Sequence, residues 1–205
     1  MKISKTKFIK KYGTKVIVRK FVSDSFREHS SFAILGRGSK TNSTMRLLQT
    51  LREGIFPADE DLDSGYFVEN VTQNETYIVG GTLPEYGVNQ TLSIVANLLV
   101  CNSFLTIKGQ KKVADARGNL KTEFVTTCSD LPCHIQEATN ELRQYDSGVL
   151  PETDYVIYST SLDVMETDQV VLAVNGKSEA FKVLSKDYVT FPNMVVIQVS
   201  RDVRK

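Results

Sequence analysis

Apolar and polar positions alternate with a period of two along most of this chain, the pattern of strands that bury one face. The clearest runs are "TKVIVRKFV" (14–22), "GYFVENV" (65–71), "ETYIVGGTLPEY" (75–86), "QTLSIVANLLVCNSFLTIKG" (90–109) and "LKTEFVTTC" (120–128). Gln-Asn, Pro-Glu-Tyr-Gly and Arg-Gly-Asn breaks separate them, and "ARGN" (116–119) reads as a hairpin turn. The span 90–108 satisfies both strand and helix periods. Its β-branched residues and the following "FLTIKG" favour strand. In the last third, "DYVIYS", "QVVLAV", "EAFKVL" and "MVVIQV" recur about every ten residues, the rhythm of a small antiparallel barrel or sandwich. Asn175-Gly176 lies between the second and third of these and supplies the positive φ angles of a tight primed turn.

Helical signals are few. Ser4 is placed to cap "KTKFIKKY" (5–12), with Gly13 ending it. "STMRLLQTLREG" puts Leu47, Leu48 and Leu51 on one face, so a helix is expected near 43–53 with Gly54 as its stop. Polar, Gly/Ser-spotted residues 24–42 read as a long loop with a brief apolar strand at 32–35. The expected fold is mainly β: a small antiparallel β-barrel or sandwich, an elaborated β-rich middle insertion, and one or two short helices. Three parts are expected: a basic N-terminal arm with the first barrel strand (1–23), the middle insertion (24–130), and the C-terminal barrel portion (131–205). Neither a repeat of fixed period nor a low-complexity tract is visible.

Composition narrows the class. The 205 residues, 41% hydrophobic and 24% charged, are ordinary globular values, which excludes wholesale disorder. No run approaches the roughly 20 apolar residues of a membrane span, and the basic start leads into a strand pattern rather than a signal-peptide core; a cytoplasmic chain is expected. Although the net charge is only +1, residues 1–20 hold eight Lys or Arg and no acid, whereas 131–205 hold eleven acids and seven bases. Such polarity suits a nucleic acid or an acidic protein surface.

Candidate chemistry is sparse. "GRGSKTN" (36–42) lacks Walker A spacing, because Ser39 separates Gly38 from Lys40; Arg37 and Lys40 fit a mobile basic loop facing phosphates better than a hydrolytic cradle. "ADEDLD" (58–63) lacks the glycine and terminal Glu of a calcium loop and reads as a solvated acidic turn. Cys128 and Cys133 are spaced poorly for zinc or redox work, and with Cys101 they read as reduced, mostly buried thiols. Cys133 and His134 are neighbours on a strand and point to opposite faces. No enzyme, metal or cofactor is expected.

One segment carries a resemblance. "VMETDQVVLAVNGKSEAFKVLSKDYVTFPNMVVIQVSRDVR" resembles the end of tailed-bacteriophage neck proteins of the head-closure, or stopper, kind: an acid-led strand, an "NG" turn, a strand "xFKV", a loop and a final "xxIQVSRDxR" strand. "YGTKVIVRKF" is similar to the opening strand of the same family, and the likeness is best over 10–25 and 131–204. Where such barrels often carry Gly-Asp before the hairpin, this chain has Thr167-Asp168. The resemblance implies a homo-oligomeric ring in the virion neck, assembled in the host cytoplasm. It would join portal or adaptor to tail terminator or tail proteins, with packaged DNA passing through the lumen and no membrane involved. It implies contacts through Lys5, Lys7, Lys10, Lys11 and Arg19 at the basic end and Arg201 and Arg204 at the other, with the 24–42 loop, Arg37 and Lys40 included, facing the lumen. Two other readings stay open: a tail-terminator or baseplate-type adaptor, and a basic nucleic-acid-binding module.

Overall fold

The computed structural model describes residues 4–22, 25–37, 50–114, 120–174 and 176–202. It is mainly β, as expected, with two short helices. By contacts the chain divides into two compact units, Met1–Cys101 with Phe191–Met194, and Asn102–Thr190 with Val195–Lys205. The division falls at Cys101/Asn102, whereas position 131, the expected start of the C-terminal portion, lies inside a single strand, Leu120–Glu137.

The first unit begins with α1 (Lys5–Tyr12), formed as its caps predict. The Ser4 hydroxyl accepts from the Lys7 N–H at 3.3 Å, and the Gly13 N–H closes the last turn on the Ile9 carbonyl at 2.8 Å. Gly13 is extended, not left-handed; it is required because a Cβ there would stand 2.6 Å from the Ile9 carbonyl oxygen. Strands β1 (Thr14–Val22), β2 (Ser25–Arg37), β3 (Leu51–Pro57), β4 (Phe67–Asn70), β5 (Glu75–Gly87) and β6 (Gln90–Val100) close into an antiparallel barrel of order β1-β2-β3-β6-β5-β4. Val16, Val18, Ala33, Phe56, Val68, Tyr77, Ala96 and Leu98 fill it.

Two expectations are corrected here. Residues 25–37 are a thirteen-residue strand rather than a long loop, paired with β1 from Val22↔Ser25 to Thr14↔Ala33. Its first six residues are exposed on both faces, so no alternation marks them; backbone pairing with β1, joined by the Phe21–Phe26 and Arg19–Glu28 contacts across it, specifies the strand. The helix expected near 43–53 falls partly outside the described residues; from Leu51 the chain is strand, paired with β6 from Leu51↔Leu99 to Pro57↔Ser93. Gly54 therefore stops no helix. It lies two residues before Phe56 on the same face, and a Cβ on it would meet the Phe56 ring at 2.6 Å and Leu98 Cδ1 at 3.0 Å.

The second unit holds β7 (Ser103–Ala114), β8 (Leu120–Glu137), α2 (Asn140–Tyr145), β9 (Tyr155–Thr160), β10 (Gln169–Val174), β11 (Lys177–Asp187) and β12 (Met194–Arg201). The last four match the four C-terminal strand runs. The hairpin at 174–177 pairs Val174 with Lys177, and Gly176 has φ +74°; Asn175 lies outside the described residues, as does the 116–119 turn that joins β7 to β8. Asp168 is buried, and its carboxylate accepts the Met165 N–H at 2.8 Å, fixing the turn into β10.

This sheet also closes, in the order β7-β8-β9-β12-β11-β10. That order is the order of the first barrel with six added to every strand number. The chain thus follows one topology twice, a repeat that no periodicity in the residues announces. In both barrels the leading hairpin outruns the wall. Strand β1 meets β4 only at Val16–Arg19 and β2 meets β3 only from Ile34 onward, while β7 meets β10 only at Leu105–Lys108 and β8 meets β9 only at His134–Glu137.

Candidate functional site

The basic N-terminus is not a free arm. Ile9 is fully buried, and α1 lies against β2, β3 and β6 of its own barrel. Lys5 is ion-paired with Glu85, which also accepts the Ser93 hydroxyl at 2.6 Å, and Lys10 meets Asp59 at 2.7 Å. These contacts hold the Glu85 and Asp59 carboxyls below their ordinary range, the lysine partner being the largest cause in each. Arg19, on β1, bridges Glu28 at 3.1 Å and Glu69 at 2.8 Å. Besides Lys10, α1 leaves exposed Lys7, Phe8, Lys11 and Tyr12, with the two rings 4.9 Å apart and the Lys11 ammonium 5.1 Å from the Tyr12 centroid. Arg201 ends β12 and pairs with Glu179 at 3.2 Å. Arg37 ends β2, and Lys40 and Arg204 lie outside the described residues.

Each barrel has a cleft where its second strand ends and its third begins. In the second barrel, Glu137, Asp154, Tyr155, Phe181 and Arg201 line a cavity of about 260 Å³. Glu137 is register partner to Tyr155, Phe181 to Arg201, and the Arg201 N–H donates to Asp154 at 2.7 Å. The Tyr155 and Phe181 rings meet edge to face at 5.5 Å. Burial, then the carboxylates of Glu137, Glu179 and Asp154, push the Tyr155 phenol upward. In the first barrel, Leu35, Gly36, Arg52, Gln73, Glu75 and Tyr77 line a cleft of about 530 Å³. Arg52 opposes Arg37, and Tyr77 opposes Val100, so Arg52 and Tyr77 hold the positions that Tyr155 and Phe181 hold in the second barrel. The Tyr77 hydroxyl donates to Glu75, and burial first, then Glu75, pushes its pKa up to about 12. That phenol stays protonated at neutral pH and serves as a hydrogen-bond donor rather than as a base.

The remaining candidates are structural. Cys133 is buried and its thiol is pushed up to about 12 by that burial, while Cys101 and Cys128 are half-buried; none of the three is in a disulfide. His134 is buried beside the Tyr158 ring at 5.8 Å. The acidic turn is less solvated than expected: Glu60 receives His29 Nε2 at 2.5 Å and the Ser31 hydroxyl, and Asp59 is held by Lys10. Among the described residues no group of three or more His, Cys, Asp or Glu is placed to hold a metal ion, and no helix is long and apolar enough to cross a membrane.

The cleft residues Glu137, Asp154, Tyr155 and Phe181 escape sequence reading because they come from three distant places in the chain, the end of β8, the start of β9 and the middle of β11, none with a distinctive motif. Exposed apolar side chains gather on the overhanging β7–β8 ribbon (Val113, Leu120, Phe124) and at the β5–β6 tip (Leu83, Tyr86, Val88). No protein-family model matches the chain, and a search of curated proteins returns no match.

Proposed function

We propose that this chain is a structural protein of the tailed-bacteriophage neck, forming a ring that joins portal or adaptor to tail and helps retain packaged DNA. The observation that supports this most is the overhanging β7–β8 ribbon. Two strands alone are marginally stable in water, and their outer edges present unpaired N–H and C=O groups. Here they also carry exposed Val113, Leu120 and Phe124. A ribbon of this kind is completed by a neighbour. Closed barrels supply the rigid body from which it extends, since closure removes the other sheet edges.

The basic-module reading is less well supported, because Lys5, Lys10 and Arg19 are engaged by acids of their own chain and are not free to replace counterions on DNA. On the neck reading the isolated protein binds DNA weakly and assembles on a portal complex. Electron microscopy of particles made without this protein is expected to show full-sized heads that leak DNA and bear no tails. Intact tailed particles would refute the assignment.

A further inference from the structure

We infer that the cleft of the second barrel receives the exposed face of α1 from another copy of the chain, joining protomers head to tail through Lys7, Phe8, Lys11 and Tyr12. The inference rests on the ring-forming reading above and names the joint.

The two surfaces are complementary in charge and in kind. Beside Tyr155 the cleft is lined by the carboxylates of Glu137 and Asp154 and the guanidinium of Arg201, which a third carboxylate, Glu179, meets at 3.2 Å. Three acids against one base leave a net of −2 at a partly apolar mouth floored by Phe181. A cation flanked by an aromatic ring is the ligand such a mouth favours. At about 260 Å³ the cavity is below the roughly 300–1,000 Å³ of small-molecule sites and suits one or two side chains. On α1, Lys5 and Lys10 are spent on Glu85 and Asp59, but among the described residues no acid pairs with Lys7 or Lys11. They flank an exposed Phe8–Tyr12 pair, the kind of aromatic anchor that carries binding energy at interfaces.

Recurrence of the cleft adds a separate line. The first barrel has a cleft at the same topological position, but there Arg52 replaces Tyr155 and Glu75 is held by Tyr77. Position repeats and charge does not, so the acidity of the second cleft is not a by-product of the fold. Contact between unlike surfaces is heterologous, the type that builds a ring when its rotation closes and a filament when it does not.

Charge reversal in the full-length protein tests this by sedimentation velocity over a range of concentrations. The α1 variant Lys7→Glu/Lys11→Glu and the cleft variant Glu137→Lys/Glu179→Lys, which takes the cleft from −2 to +2, alter exposed or half-exposed side chains, and circular dichroism checks that both fold. Each alone is expected to self-associate at least tenfold more weakly than the wild type. An equimolar mixture is expected to regain wild-type assembly, because each variant's altered surface then meets its complement. Variants that assemble like the wild type, a mixture no stronger than its components, or a wild type that stays monomeric would each overturn the joint. So would an α1 variant that loses duplex DNA binding while its self-association is unchanged. Wild-type rings that persist in both variants leave the neck reading standing, whereas tailed particles formed without the protein remove that reading and leave the joint measurable.

Discussion

Gly54 offers the sharpest test of the first barrel. An alanine Cβ at this position would stand 2.6 Å from the Phe56 ring and 3.0 Å from Leu98 Cδ1, and both side chains are fully buried, so neither has open space to retreat into. Overpacking of this kind costs about 1–3 kcal/mol. Removing a glycine from a strand interior offsets roughly 0.5–1 kcal/mol of that. The Gly54→Ala variant is thus expected to lose up to about 2.5 kcal/mol, and each kcal/mol lowers Tm by roughly 4–8 °C in a domain of 60–100 residues. Two barrels need not unfold in one step, so calorimetry is the suitable assay: the transition assigned to the first barrel should fall and the other should hold. Repeating the substitution in a Phe56→Leu background removes the ring, and the alanine should then be neutral or slightly stabilising, a coupling of about 1–3 kcal/mol between neighbours. Equal costs in both backgrounds would refute the packing account and return Gly54 to a role in chain reversal.

Other expectations follow from the same contacts. Ile9→Ala should cost about 2–5 kcal/mol by chemical denaturation, because the side chain that anchors α1 is fully buried. Glu85 and Asp59 have carboxyls depressed by Lys5 and Lys10, so their contribution to holding α1 is present above their unfolded values and lost as pH falls below about 4. Hydrogen-exchange protection factors in α1, corrected for the intrinsic rate at each pH, should fall there, and less so in a Lys5→Ala/Lys10→Ala variant, whose protection is already low. A thiol reagent at neutral pH should label Cys101 and Cys128 before Cys133, which reacts only on unfolding; early labelling of Cys133 would contradict its burial.

Residue patterns revealed β structure wherever one face is buried: β5, β6 and the four C-terminal strands lie where alternation put them. They failed at β2, whose first half is exposed on both sides, and over Leu51–Gly54, expected as the end and stop of a helix but part of β3, although Thr50 just before it is helical. Helix α2 was overlooked although Thr139 caps it, accepting the Leu142 N–H at 3.3 Å; one turn and a half is too short to show a period. The lysines of α1 were legible as charge, but their partners Glu85 and Asp59 are 80 and 49 residues away along the chain. The acidic cleft was illegible for the same reason, being composed by register rather than by proximity in sequence.

That both halves trace one strand path creates a hazard during folding. Before either barrel closes, the third strand of one half has in the other half a topologically valid seat beside the wrong sixth strand, and misassembly between like units is a known failure of multidomain chains. Dissimilar side chains are what tell the seats apart: Gly54 and Phe56 interlock in β3, while Tyr155, Val156 and Ile157 occupy β9. The lack of any readable repeat in the residues is then a safeguard, and restoring likeness between the halves should trap the chain in swapped forms.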